Sequence, residues 1–118
     1  YSLGKYLNMW VLLSIVPKDE DDSNMQDNKR CRILISGQVQ GVRYRAFAKI
    51  AAEKNNITGF ARNLPDNRVE VVAEGDEFDL LSFIQLLRTG PPSAVVDGFD
   101  MEWSEAANEF DRFSIVLD

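Results

Sequence analysis

At 118 residues, with no histidine and one cysteine, the chain is long enough for one domain with a modest core, but it cannot carry serine–histidine or cysteine–histidine catalysis, a histidine-bound metal or an intrachain disulfide. A net charge of −6 argues against general nucleic-acid binding. The charge is uneven: Lys29 to Arg68 holds nine basic residues against Glu53 and Asp66, so +7 there faces −13 elsewhere, a distribution that suits either a small anionic ligand or ordinary solvated faces.

Residues 1–30 read as an extension or linker, tag-like or disordered, ahead of a folded domain over 31–118. The apolar run 9–16 is too short to span a bilayer. Pro17 ends it, and residues 18–24 form a charged linker. Lys5 precedes the run, but no small-residue cleavage pattern follows, which argues against a signal peptide. Trp10 to Val16 is rich in strand formers, so an added strand or swapped arm is an alternative.

Cys31 to Ser36 is a short apolar strand, in which Cys31 is a half-buried packing residue with no activating base beside it. Tyr44, Phe47, Ala48, Ala51 and Ala52 share one face of an amphipathic helix that ends at Asn55-Asn56. Ile57 to Leu64 is a second strand. The turn Pro65-Asp66-Asn67 joins it in a hairpin to a third, half-exposed strand, where Val69, Val71 and Ala73 alternate with Glu70 and Glu74. Asp76 caps a second helix with Leu80, Phe83, Ile84 and Leu87 as its buried stripe, and Gly90-Pro91-Pro92 stops it. Phe99, Met101 and Trp103 mark a fourth strand, and Phe113, Ile115 and Leu117 the inner face of a short terminal one. The expected fold is α+β: a ferredoxin-like βαββαβ sandwich, an antiparallel sheet with two helices on one face, plus that terminal strand.

Two segments carry chemistry. In Gly37-Gln38-Val39-Gln40-Gly41-Val42-Arg43-Tyr44-Arg45, glycines flank a loop that opens the first helix. Such a loop can present backbone amides to an anion, with Arg45 in the first helical turn as a bidentate partner. A plain strand-to-helix connection with a surface arginine fits the same residues. Asn63 ends a strand at a turn, where it serves either as an ordinary turn residue or as a neutral amide that holds a water. Strands one and two, if parallel around the helix, would bring Arg45 and Asn63 to the same sheet edge.

Together, that loop and the segment from Gly59-Phe60-Ala61-Arg62-Asn63-Leu64-Pro65-Asp66-Asn67 to Gly75 resemble the two signatures of the acylphosphatase family, a likeness running from about Cys31 to Asp118. The resemblance implies a stand-alone acylphosphatase, a hydrolase that converts acyl phosphates to carboxylate and inorganic phosphate. Arg45 matches the family's phosphate-gripping arginine, Asn63 the asparagine that orients the attacking water, and Gln38, Val39, Gln40, Gly41 and Val42 the amide-donating loop. No metal and no organic cofactor is implied, and the partners are the acyl phosphate and inorganic phosphate, with neither nucleic acid nor membrane. A cytoplasmic monomer is expected, although residues 1–30 can mediate dimerisation. Arg43 and Arg62 read as surface charges that steer substrate. Asn67 stands where the family often has glycine and is expected to bring only modest strain, because asparagine tolerates positive φ. The rival reading is a non-catalytic anion-binding module on the same fold. A single-stranded RNA binder fits less well, because Tyr44 and Phe47 lie on a helix stripe and not on the sheet.

Overall fold

The computed structural model describes residues 28–118. The extension proposed over residues 1–30 thus lies outside the described residues, except for Asn28 to Arg30. Those three begin the first strand, β1 (Asn28–Gln38), earlier than the apolar run suggests. Their ladder continues because β1 is paired on both sides, with Asn28 opposite Asp76 and Lys29 opposite Glu105.

The remaining elements are α1 (Tyr44–Lys54), β2 (Thr58–Asn63), β3 (Val69–Asp76), α2 (Glu77–Thr89), β4 (Val95–Glu105) and β5 (Phe113–Ile115). The sheet order is β4-β1-β3-β2-β5. Its first four strands are antiparallel neighbours, as expected for the ferredoxin-like order, whereas β5 pairs with β2 in parallel and makes the five-stranded sheet mixed.

Each helix follows from its local chemistry. The buried face of α1 consists of Tyr44, Ala48, Ala51 and Ala52, and the small alanines let the backbone lie close to the sheet. Asn55 closes the helix by donating its side-chain amide to Ala51 O at 2.8 Å. At the start of α2, the Asp76 carboxylate accepts from Phe78 N at 3.0 Å, and Glu77 and Asp79 favour the positive end of the helix dipole. Leu80, Phe83, Ile84 and Leu87 are buried as expected, each worth about 1.5–3 kcal/mol on the usual transfer scale. The Tyr44 hydroxyl ties the two helices by donating to Leu87 O at 2.6 Å. Burial drives the Cys31 thiol up to about 11, with only a partial offset from a backbone hydrogen bond at Glu102, which fits a packing residue and not a nucleophile.

Two expectations change. Leu117 is 81% exposed, so the inner face of the terminal strand rests on Phe113 alone among fully buried residues. The strand has only three residues, and the chain turns from sheet pairing toward α1 after Val116. Nor is β3 half-exposed: Glu70 and Glu74 are each only 4% exposed. The central strand has neighbours on both sides, and their side chains close over its outer face. Glu70 accepts from Arg32 Nε at 2.6 Å and Arg62 Nε at 2.5 Å. Glu74 accepts from Arg30 Nη1 at 3.0 Å and from the amides of Ala107 and Asn108 at 2.7 and 3.0 Å. Phe60 and Phe110 pack edge-to-face beside them, with Arg30 over the Phe110 ring.

Burial pushes the Glu70 carboxyl up, but hydrogen bonds from Arg32 and then Arg62 outweigh it and hold Glu70 below its ordinary value of 4.5. A carboxylate depressed in the folded state contributes stability that is complete above its unfolded value and is lost as pH falls through the folded one. Glu70→Gln should therefore lower stability at neutral pH by about 1–2 kcal/mol and flatten the loss of stability below pH 4.5. Urea midpoints measured across the acid range check this, and parallel wild-type and variant curves would refute it.

Candidate active site

Because β3 runs antiparallel to both β1 and β2, those two strands are parallel with β3 between them. Their C-terminal ends therefore lie at one end of the sheet. The loop after β1 and the turn after β2 meet there, as non-adjacent strands rather than at a sheet edge.

The loop's geometry depends on its glycines. Gly37 has φ 124°, and a Cβ there would collide with the Val95 carbonyl on β4. Gly41 has φ 76°. Arg43, at the helix N-cap, is also left-handed at φ 64°, and no side chain caps the first turn of α1. The turn after β2 is closed by Leu64 N donating to Arg68 O at 2.8 Å, and Asn67 adopts φ 72°, the conformation its replacement of glycine requires.

The expected site residues separate by role. Val39 is 1% exposed and belongs to the core, anchoring the middle of the loop. Val42 packs partly against the core, and its carbonyl accepts from Ser93 Oγ at 3.1 Å. Gln38 closes β1 opposite Val95. The Gln40 side chain does something the motif did not reveal. Its Nε2 donates to Leu64 O at 2.9 Å and Arg68 O at 2.8 Å, stapling the loop to the hairpin turn that follows Asn63.

Arg45 and Asn63 converge on one group, the Asp118 carboxylate. Arg45 Nη1 and Nη2 lie 3.3 and 3.4 Å from its oxygens, and Asn63 Nδ2 lies 3.3 Å away. Arg45 Nη1 also donates to Val116 O at 2.6 Å. The other end of the Asn63 amide, Oδ1, is buried and has no partner among the described residues. A buried acceptor left unmatched is unfavourable unless a donor meets it. Asn63 thus donates from Nδ2 to a carboxylate while its Oδ1 is left as a buried acceptor. Arg62 does not join this cluster: it lies on the opposite sheet face, held by Glu70 and stacked over Phe60. Arg43 remains at the exposed lip of the loop.

Asp118 and Val116 escaped sequence reasoning because only the parallel pairing of β5 with β2 brings them here. No local motif marks them. A cavity of about 430 Å³ near Asn28, Glu74 and Asp79 contains neither Arg45 nor Asn63.

The class is that of an α+β sandwich in which a glycine loop opens α1 beside Arg45 and Asn63. The acylphosphatase family model matches residues 31–115, and the chain belongs to that family. It is 44% identical over 90 residues to an acylphosphatase of Methylococcus capsulatus, covering 76% of this chain and 98% of that protein. An acylphosphatase structure from Bacillus subtilis superposes with a TM-score of 0.73 at 37% identity, covering 75% of this chain and 99% of that one. Full-length HypF, crystallised in a phosphate- and nucleotide-bound form, contains a similar region: TM-score 0.67 and 31% identity, over 76% of this chain but 12% of that protein.

The Gln40 staple makes a prediction. Gln40→Ala should leave the fold intact but lower stability by about 1–2 kcal/mol, the scale of two lost hydrogen bonds to carbonyls that keep other donors. Thermal unfolding and phosphate titration together check it. Loss of stability with looser phosphate binding is expected, and unchanged values of both would remove the staple's role.

Proposed function

We propose that this protein hydrolyses acyl phosphates to carboxylate and inorganic phosphate by direct attack of water. The observation that carries the reading is the convergence of Arg45 and Asn63 on a single carboxylate, with Asn63 Oδ1 left as a buried acceptor. A carboxylate presents two oxygens much as a phosphoryl group presents a pair, so the Asp118 contacts support Arg45 and Asn63 as groups that meet an anion.

In this mechanism Arg45 and the loop amides from Gln38 to Val42 hold the non-bridging oxygens and stabilise charge as it shifts in the transition state. Asn63 Oδ1 accepts a hydrogen bond from the attacking water and sets it in line with the bond to the leaving group. As the new P–O bond forms, the bond to the carboxylate oxygen breaks, and the water's proton passes to a phosphoryl oxygen. The carboxylate is a good leaving group, so strong acid catalysis is unnecessary, and positioning supplies much of the effect. No step calls for a metal, and none uses the Cys31 thiol. That buried, unpaired thiol is compatible with a reducing cytoplasm. Among the described residues no helix is long and apolar enough to cross a membrane.

Benzoyl phosphate hydrolysis, measured with chelator present, tests the reading. The wild-type protein should turn over with a broad pH optimum. Arg45→Lys, which keeps charge but loses the planar fork, should lose about 10²–10³-fold in kcat. Asn63→Ala should depress kcat while phosphate affinity changes little. Substantial turnover by Arg45→Lys, or chelator sensitivity, would overturn the mechanism. A folded wild type that binds phosphate without turnover would be an anion-binding module.

A further inference from the structure

The last residues reach the site along a defined route. Phe113 to Ile115 pair with Gly59 to Ala61, and Val116 N extends the ladder by donating to Ala61 O at 2.9 Å. Val116 O then accepts from Arg45 Nη1, and two residues on, the Asp118 side chain meets both Nη atoms of Arg45 and the Asn63 amide. Arg45 is the donor assigned above to the phosphoryl group, and Asn63 the amide that places the water beside it. The fork of one guanidinium matches one carboxylate or one phosphate at a time.

We propose that Asp118 is an affinity-setting residue: its side-chain carboxylate occupies the anion seat of Arg45 and Asn63, and an entering phosphoryl group must displace it. The proposal rests on the phosphate-site reading. Its strength follows from exposure and distance. The Asp118 side chain is 67% exposed, and its contacts of 3.3–3.4 Å are long for charge-assisted hydrogen bonds. Such a pair is weak. A doubly charged phosphoryl group therefore displaces it readily, while a singly charged carboxylate has little advantage over the one already there. Asp118 thus lowers the affinity for phosphate and carboxylate alike and keeps the carboxylate product from lingering. Val116 O, a backbone acceptor that takes only one proton of Nη1, holds Arg45 in place when Asp118 leaves. A purely orienting role for Asp118 would have the opposite kinetic sign, since its removal would loosen both donors.

The test titrates inorganic phosphate, and separately acetate, into the full chain as wild type, Asp118→Asn and Asp118→Ala, followed by backbone amide chemical shifts, with KM and kcat for benzoyl phosphate measured alongside. Asp118→Ala should bind phosphate about two- to fivefold more tightly, with KM falling in proportion and acetate binding strengthened in the same ratio. Asp118→Asn should fall between Asp118→Ala and wild type. Unchanged or weaker phosphate binding in Asp118→Ala, or a fall in kcat without tighter binding, would overturn the proposal. Variants that bind phosphate in the expected order but hydrolyse nothing would support the competitor role of Asp118 while removing the hydrolytic reading.

Discussion

The central strand β3 sits between β1 and β2 and runs against both, and the position of every functional residue depends on that pairing. It makes β1 and β2 parallel without letting them touch. The loop after β1 and the turn after β2 then open at the same end of the sheet, and α1 begins there. The same central position removes both faces of β3 from water, so Glu70 and Glu74 must be paired. Arg30, Arg32 and Arg62 supply that pairing from the two flanking strands. The ion pairs are thus consequences of the strand order: removing one partner would leave a carboxylate buried beside the core.

This pairing changes the meaning of the charge pattern. The excess of basic residues between Lys29 and Arg68 suggested a positive field for an anion. In the structure much of that charge is neutralised locally: Arg30, Arg32 and Arg62 by β3, Arg68 by Asp66, Lys49 by Glu53 and Lys29 by Glu105. Several of these partners lie outside the basic stretch, so the counting window separated charges that the fold brings together. Arg45 stands apart because its shortest contact is to a backbone carbonyl and not to a carboxylate. The anion binding proposed here would rest on one oriented fork and its neighbours, not on a broad field.

What was legible in the chain follows the same division between local and long-range physics. Asp76 as a cap, Gly90 as a stop, Asn67 in a left-handed turn and the buried stripe of α2 are set within a few residues, and each could be read directly. The loop with Arg45 and the turn with Asn63 were legible as motifs because their glycines and turn residues encode backbone geometry. The burial of Glu70 was not, since alternation with valine looks the same on an edge strand as on a central one. Leu117 alternated correctly but lay beyond the point where β5 ends. The Gln40 staple and the reach of Asp118 depend on contacts made across 24 to 73 positions of sequence, and no local pattern encodes such a meeting.

The Asn63 amide joins these strands of argument. As a neutral group it can donate at one end and accept at the other without changing protonation. Its Nδ2 shares an anion with Arg45, while Oδ1 is buried and awaits a donor. A carboxylate in its place would accept from water more strongly but would repel the phosphoryl oxygens of the proposed substrate. In the mechanism proposed above, the leaving group of an acyl phosphate departs without protonation, so the weaker neutral acceptor would suffice. In the proposed hydrolysis, the absence of histidine and the separation of Glu70 and Glu74 on the far sheet face fit one arrangement, in which orientation near a single guanidinium takes the place of acid–base chemistry.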